Sequence, residues 1–252
     1  LKRNYLNIPV SVCFLAFQKN CIAEFQLYCW LKLQCSGHFK LTNQLVFEGI
    51  NQLQITKPTF KKRLSWLLNQ RWIGFNSKTG SYHINSFKVL HYRTGWTQKT
   101  GIVWEDYNIK KFKEFVFAAI LYKIAKSKWW YERQLAKEKG RSVIKAGAIK
   151  ARSSTCIERP SFSLPLHYIA KKLNKPVATI NGLKLAAKCA GFIYIKHQKR
   201  LVKTKSSETF RIIKTHPEKG RFFVKNGKLY ERLTDKIIFM FHAKRIRSLK
   251  QF

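Results

Sequence analysis

The sequence predicts a mainly α-helical α+β chain, in which two helical units, each with a small β-hairpin, are joined by a long helix. Three observations predict it. Between Thr42 and Ile84 two helix patterns are followed directly by a hairpin pattern, and a similar order begins again at Ser163. Between these stretches Ile109, Phe112, Val116, Ile120 and Ile124 share one face of a long helix that Asn108 caps and that runs toward Gly140. The expected organisation is a first unit over 1–94, a linker with the long helix and a basic arm over 95–160, and a second unit with a C-terminal helix over 161–252.

In chain order, Leu6 to Phe17 reads as a leading strand and Cys21 to Leu33 as an amphipathic helix ended by Ser36-Gly37. Thr42 or Asn43 caps the next helix, whose apolar residues Leu45, Val46, Gly49, Ile50 and Leu53 fall on one face. Thr56 and Pro58 open another, where proline's missing N–H costs nothing near the start. Its stripe is Phe60, Leu64, Leu67 and Leu68, which leaves Lys57, Thr59, Lys61, Lys62 and Ser65 facing water or a ligand. Trp72–Asn76 and Ser81–Ile84 then flank the polar turn Ser77-Lys78-Thr79-Gly80, and Phe87 to Tyr92 reads as a strand leaving it. The passage Gly95 to Asn108 is the expected boundary between the halves.

Past the long helix, Arg141 to Arg159 reads as a basic arm that orders on nucleic acid. From Ser163, the run Ile169-Ala170-x-x-Leu173-Asn174 leads to Thr179, and Ile180, Leu183, Ala187 and Ala190 form a second stripe that ends at Gly191. Thr179 to Gly191 spans the same interval as Thr59 to Arg71, which points to a duplicated module, although Lys184 stands where Leu64 does. Phe192 to Lys196 alternates like a strand, and His197 to Ser207 reads as a basic loop beyond it. Phe210 to Ile213 and Arg221 to Lys225 complete its strands, and an amphipathic helix is expected from Thr234 to about Leu249.

The run Thr56-x-x-Thr59-x-x-x-x-Leu64-x-x-Leu67-x-x-x-x-Trp72-Ile73 resembles the recognition helix and first wing strand of winged helix-turn-helix DNA-binding proteins. One departure stands out, since Arg71 occupies the helix end where that family usually has Gly. The resemblance implies two winged-helix domains joined by a long helix. It further implies similarity to plasmid replication initiators or mobile-element regulators.

Composition narrows the partner. Of 252 residues 45% are hydrophobic, enough for a core, yet 50 Lys+Arg face only 12 Asp+Glu, giving a formal net charge of +38. Such a charge calls for a polyanion, whose condensed counterions are released on binding. Residues 1–108 hold 14 of the basic and 4 of the acidic residues, so the larger part of the excess lies beyond them. The expected partner is double-stranded DNA, with RNA as the alternative, in a homodimer or larger nucleoprotein assembly.

The candidate contacts are Lys57, Thr59, Lys61, Lys62, Ser65 and Lys78 in the first unit and Arg141, Lys145 and Arg152 in the arm. In the second unit they are Lys175, Asn181, Lys184, Lys199, Arg200, Lys203 and Lys205. An alternative reading makes the helix-turn-helix segments scaffold for an RNA-binding or ribonucleoprotein-assembly protein, with the aromatic-basic stretch from Trp129 stacking on unpaired bases. Another makes the chain an accessory DNA-binding subunit of a recombination machine.

Catalysis is not expected. Two aspartates, Asp106 and Asp235, are too few for a two-metal phosphoryl-transfer core, and no phosphate-binding G-x-x-x-x-G-K-[ST] loop occurs. His242-Ala243-Lys244-Arg245 has the His-x-x-Arg spacing of tyrosine recombinases, but Tyr230 is the last tyrosine and precedes it. The six cysteines, Cys13, Cys21, Cys29, Cys35, Cys156 and Cys189, include no C-x-x-C pair and read as buried thiols. Cys29, Cys35 and His38 match no common zinc spacing, and no cofactor or metal is expected. The apolar run from Val10 to Phe17 is too short and interrupted for a secretory signal, and no membrane span is expected. The expected location is cytoplasmic and, with duplex DNA as partner, nucleoid-associated.

Overall fold

The computed structural model describes residues 5–35, 37–93, 100–138, 161–202, 211 and 221–245. The chain is mixed α+β with small antiparallel sheets. It divides into two compact units, residues 1–123 with 241–252, and residues 124–240.

The first unit opens with strand β1 (Tyr5–Pro9), helix α1 (Val10–Gln18) and helix α2 (Ile22–Gln34). The strand expected from Leu6 to Phe17 therefore stops at Pro9, whose φ of −64° and ψ of 131° make it the helix N-cap. Seven of α1's nine residues are buried, so no polar face marks its period in the sequence. Strand β2 (His38–Phe39), helix α3 (Asn43–Leu53), helix α4 (Lys57–Asn69) and strands β3 (Ile73–Asn76) and β4 (Ser81–Ile84) follow. The strands form a sheet of order β2-β4-β3, with Ile73 opposite Ile84 and Phe39 opposite Tyr82.

Side-chain oxygens start both helices: Thr42 accepts from the Leu45 amide and Thr56 from the Thr59 amide. Gly49 on α3 is required by packing, because a Cβ there would lie 2.5 Å from Phe60 Cε2 and 3.0 Å from Trp30. Trp30 and Phe60, both fully buried, meet edge to face at 6.3 Å, and Phe25 and Tyr28 of α2 each meet the Trp72 ring in the same way.

Phe87 to Arg93 is a helix, α5, and not the strand expected there. Ser86 accepts from the Val89 amide, a local cap that outweighs the β-prone composition. The passage expected to separate the halves contains strand β5 (Thr100–Glu105), which is central in a three-stranded sheet between β1 and the strand Ala243–Arg245. Ile102 and Trp104 are buried, so this stretch belongs to a core. A short 3-10 turn (Asp106–Lys111) leads into helix α6 (Phe112–Glu138). Phe112 and residues 115–121 supply its buried side within the first unit, where Trp104 and Phe112 meet at 4.9 Å.

The second unit takes in the later part of α6, then strand β6 (Ser161–Ser163), helix α7 (Leu166–Leu173), helix α8 (Val177–Cys189) and strands β7 (Ile193–Leu201), β8 (Phe222–Lys225) and β9 (Lys228–Phe239). Its sheet has the order β6-β9-β7, with β8 also paired to β9. Both units thus run helix, short strand, helix, helix and then antiparallel strands, the β3–β4 hairpin in the first and β7, β8 and β9 in the second, with the short first strand paired to the last strand.

The C-terminal helix expected from Thr234 is absent among the described residues. Thr234 to Phe239 completes β9, and Ala243–Arg245 forms β10 in the first unit's sheet. Ile237 and Phe239 point inward opposite Ile195 and Ile193, a pairing that the amphipathic period in the sequence does not reveal.

The turns that close α3 and α4 match those that close α7 and α8. Gln54 and Arg71 close α3 and α4 in the left-handed region (φ 53° and 56°), and Asn174 and Gly191, the same distance apart, close α7 and α8 (φ 48° and 83°). The amides of Arg71 and Trp72 return to the carbonyls of Leu68 and Leu67, and those of Gly191 and Phe192 to Lys188 and Ala187, the same Schellman closure twice. Arg71 adopts the left-handed turn despite its side chain, and its carbonyl accepts a 2.6 Å bond from Asn85 Nδ2. Gly191→Ala puts a Cβ on a φ of 83° with no neighbour within 4 Å to blame, so it should lower stability by about 1 kcal/mol through strain alone. Denaturant unfolding of the variant against the parent chain measures this.

Candidate nucleic-acid interface

Lys57, Lys61 and Ser65 stand at i, i+4 and i+8 on the outward side of α4, with Lys62 beside them, and all four are exposed. The opposite side, Phe60, Leu64 and Leu67, is buried. Thr59 is half-buried; its hydroxyl lies 2.9 Å from Thr56 Oγ1, so it is committed to the helix start as well as to the surface. No acidic residue occurs on α4 at all. Lys78 is exposed at the tip of the β3–β4 hairpin, where its amide donates to Asn76 Oδ1 at 3.0 Å and sets the turn. The first unit therefore presents one helix face of uniform positive sign, followed by a hairpin with another cation at its tip.

In the second unit Lys175 and Asn181 are exposed, and Lys171 and Lys172 lie exposed on the last turn of α7. Lys199 and Arg200 are exposed on β7, but neither is a free cation. Lys199 Nζ sits 4.6 Å from the centre of the Tyr230 ring, and Arg200 and Arg221 together hold the carboxylate of Glu231. Arg221 first, then Arg200, keeps that carboxyl below its usual range. A carboxylate with a lowered pKa adds stability above its unfolded pKa, which is lost as pH falls through the folded one. Acidification should therefore loosen the β7–β9–β8 pairing, and Glu231→Gln should remove that acid step in amide exchange followed against pH.

Lys184 corrects the expectation that it faces a ligand. It is 5% exposed at the buried position that Leu64 holds in α4, and its Nζ lies 3.5 Å from Asp235 Oδ2 on β9. Asp235 Oδ1 in turn lies 2.9 Å from His197 Nδ1 on β7. A buried ammonium needs such a partner. The pair ties α8 to the hairpin at the irregularity between Lys196 and Gln198. Arg141, Lys145, Arg152, Lys203 and Lys205, with the basic arm, lie outside the described residues.

The second hairpin brings in two cations that are not among the expected contacts, and its signal in the sequence is the dipeptide Asn226-Gly227. Both residues stand at positive φ (50° and 70°) and form the two-residue turn that joins β8 to β9. The turn sets Arg221, just before β8, beside Arg232 on β9, where Arg232 is paired with Lys199 of β7. On α6, the guanidinium of Arg133 lies 5.2 Å from the Trp129 ring and 5.7 Å from the Trp130 ring, and Trp130 and Tyr131 are exposed.

Comparison with known proteins gives no match to a family model, a curated protein or a solved structure. The geometry alone carries the functional reading. Among the described residues, no three His, Cys, Asp or Glu side chains converge as metal ligands, and no helix is long and apolar enough to cross a membrane. Cys13 and Cys29 are fully buried, and burial pushes both thiols far up in pKa, which keeps them unreactive.

Proposed function

We propose that this chain is a non-catalytic double-stranded-DNA-binding protein built on tandem winged helices, working as a replication initiator or as a regulator of a mobile element. The observation that carries the reading is the cationic outward face of α4, set on a helix-turn-helix that runs directly into a hairpin. That order, helix, strand, helix, helix and hairpin, with the short strand paired to the last one, is what a winged helix requires. Its repetition in the second unit supports a protein with two grips on one duplex. Phosphate contacts from Lys57, Lys61, Lys62 and Lys78 hold the backbone, and bases are read from the helix that faces the groove.

A second reading rests on the Trp129–Trp130–Arg133 cluster. The exposed Trp130 and Tyr131 rings, with the Arg133 guanidinium 5.7 Å from Trp130, suit unpaired bases and support RNA or single-stranded DNA as the ligand. Equilibrium competition among a duplex, a single strand and a structured RNA, all at equal salt, separates the two. Duplex DNA should displace the others; displacement of duplex by the single strand or the RNA would favour the second reading.

A further inference from the structure

The outward faces of α4 and α8 occupy matched positions and differ in charge. Counting from the equivalent left-handed turns Gln54 and Asn174, Lys61 corresponds to Asn181, Lys62 to Gly182, Ser65 to Leu185 and Asn69 to Cys189. All eight residues are exposed, so the face that is cationic on α4 is neutral on α8. Leu185 is 47% exposed at its centre. The positive charges lie at the ends instead: Lys171, Lys172 and Lys175 precede α8, and Lys188 lies in its last turn.

Gly182 adds an independent observation. Glycine inside a helix is less favourable than alanine, and packing usually explains its presence, as it does for Gly49. A Cβ on Gly182 would meet nothing within 4 Å. No packing among the described residues requires this glycine. Its effect is to lower the helix surface beside Asn181 and Leu185, so that something outside the chain can approach the backbone.

We propose that α8 is the base-reading helix and that it fits an A·T element of the major groove, while α4 grips phosphates. The inference rests on the duplex-binding reading above and deepens it. Asn181 offers the amide pair that matches adenine N7 and N6–H, and Leu185, one turn along the same face, offers methyl groups for the thymine methyl. A neutral helix face between flanking lysines complements base edges that lie between two phosphate strands. The buried Lys184–Asp235 pair positions this helix against its hairpin and touches no base.

The test is selection of bound sequences from a randomised duplex pool by the full chain, followed by titration of the selected and of random duplexes. The parent chain should enrich an A·T element. Asn181→Ala and Leu185→Ala should each narrow the gap between selected and random duplexes by about five- to hundredfold. Gly182→Ala should weaken the selected complex while raising thermal stability, a combination that a structural role would not give. Binding with no enrichment, a G·C element, or an enrichment untouched by the Asn181 and Leu185 variants would overturn the inference and leave duplex binding standing. Failure to bind any duplex would overturn both.

Discussion

Asp235→Ala is expected to destabilise the second unit by about 3–5 kcal/mol, because it leaves the buried Lys184 ammonium without its counter-charge. Amide exchange in α8 and β9 should accelerate accordingly, with the amides of α2 and α4 unaffected. Lys184→Leu, which restores the residue type found at Leu64, should differ from the parent by less than about 1.5 kcal/mol, since Asp235 is 24% exposed and keeps His197. A large loss in both variants would mean that the position tolerates no change of shape and that the ion pair is incidental.

The second large effect concerns binding. Replacing Lys57, Lys61 and Lys62 together by Ala removes the exposed cations of α4 without touching Phe60, Leu64 or Leu67. The slope of log affinity against log salt should become shallower by about 0.9 for each phosphate that these lysines neutralise. Circular dichroism should show the helix intact, as alanine is the better helix former. An unchanged slope would mean that the phosphates are neutralised by other parts of the chain.

What the sequence makes legible is local. The helix starts at Thr42 or Asn43 and at Thr56 are legible because a side-chain oxygen before an apolar period commonly caps a helix, and Thr42 and Thr56 are the residues that do so. The Thr59–Arg71 and Thr179–Gly191 intervals are visible as an equal spacing, and the matching Schellman turns give it a structural meaning. Arg71 looks like a departure because a side chain disfavours positive φ, but the Asn85 bond that helps hold its carbonyl is made from fourteen residues away, where no local rule looks. Helix α1 is hidden in the sequence because it is buried nearly all round and has no polar face to show its period.

The C-terminal strand is hidden for a related reason. Thr234 to Phe239 can be written on a helix or on a strand, and only pairing with β7 decides. Lys184 reads as a surface residue because a lysine on a helix face is ordinarily solvated, and the residue that makes it a core residue, Asp235, lies far along the chain on another element. The exposed cations of α4 are legible because their helix pattern already separates a buried from a free side. The neutral face of α8 becomes legible only once the two turns can be aligned.

The claim that α4 faces duplex DNA is tested most directly by photo-crosslinking. A photoreactive residue at position 62 on α4 is compared with one at position 113, where the parent chain has another exposed lysine of the same unit, on α6. Both sites begin as exposed lysines, so general charge attraction treats them alike. Crosslinking to duplex DNA from position 62, fading as salt is raised, with little from position 113, is the predicted result. Equal yields from both positions, or a yield from 113 alone, would contradict it.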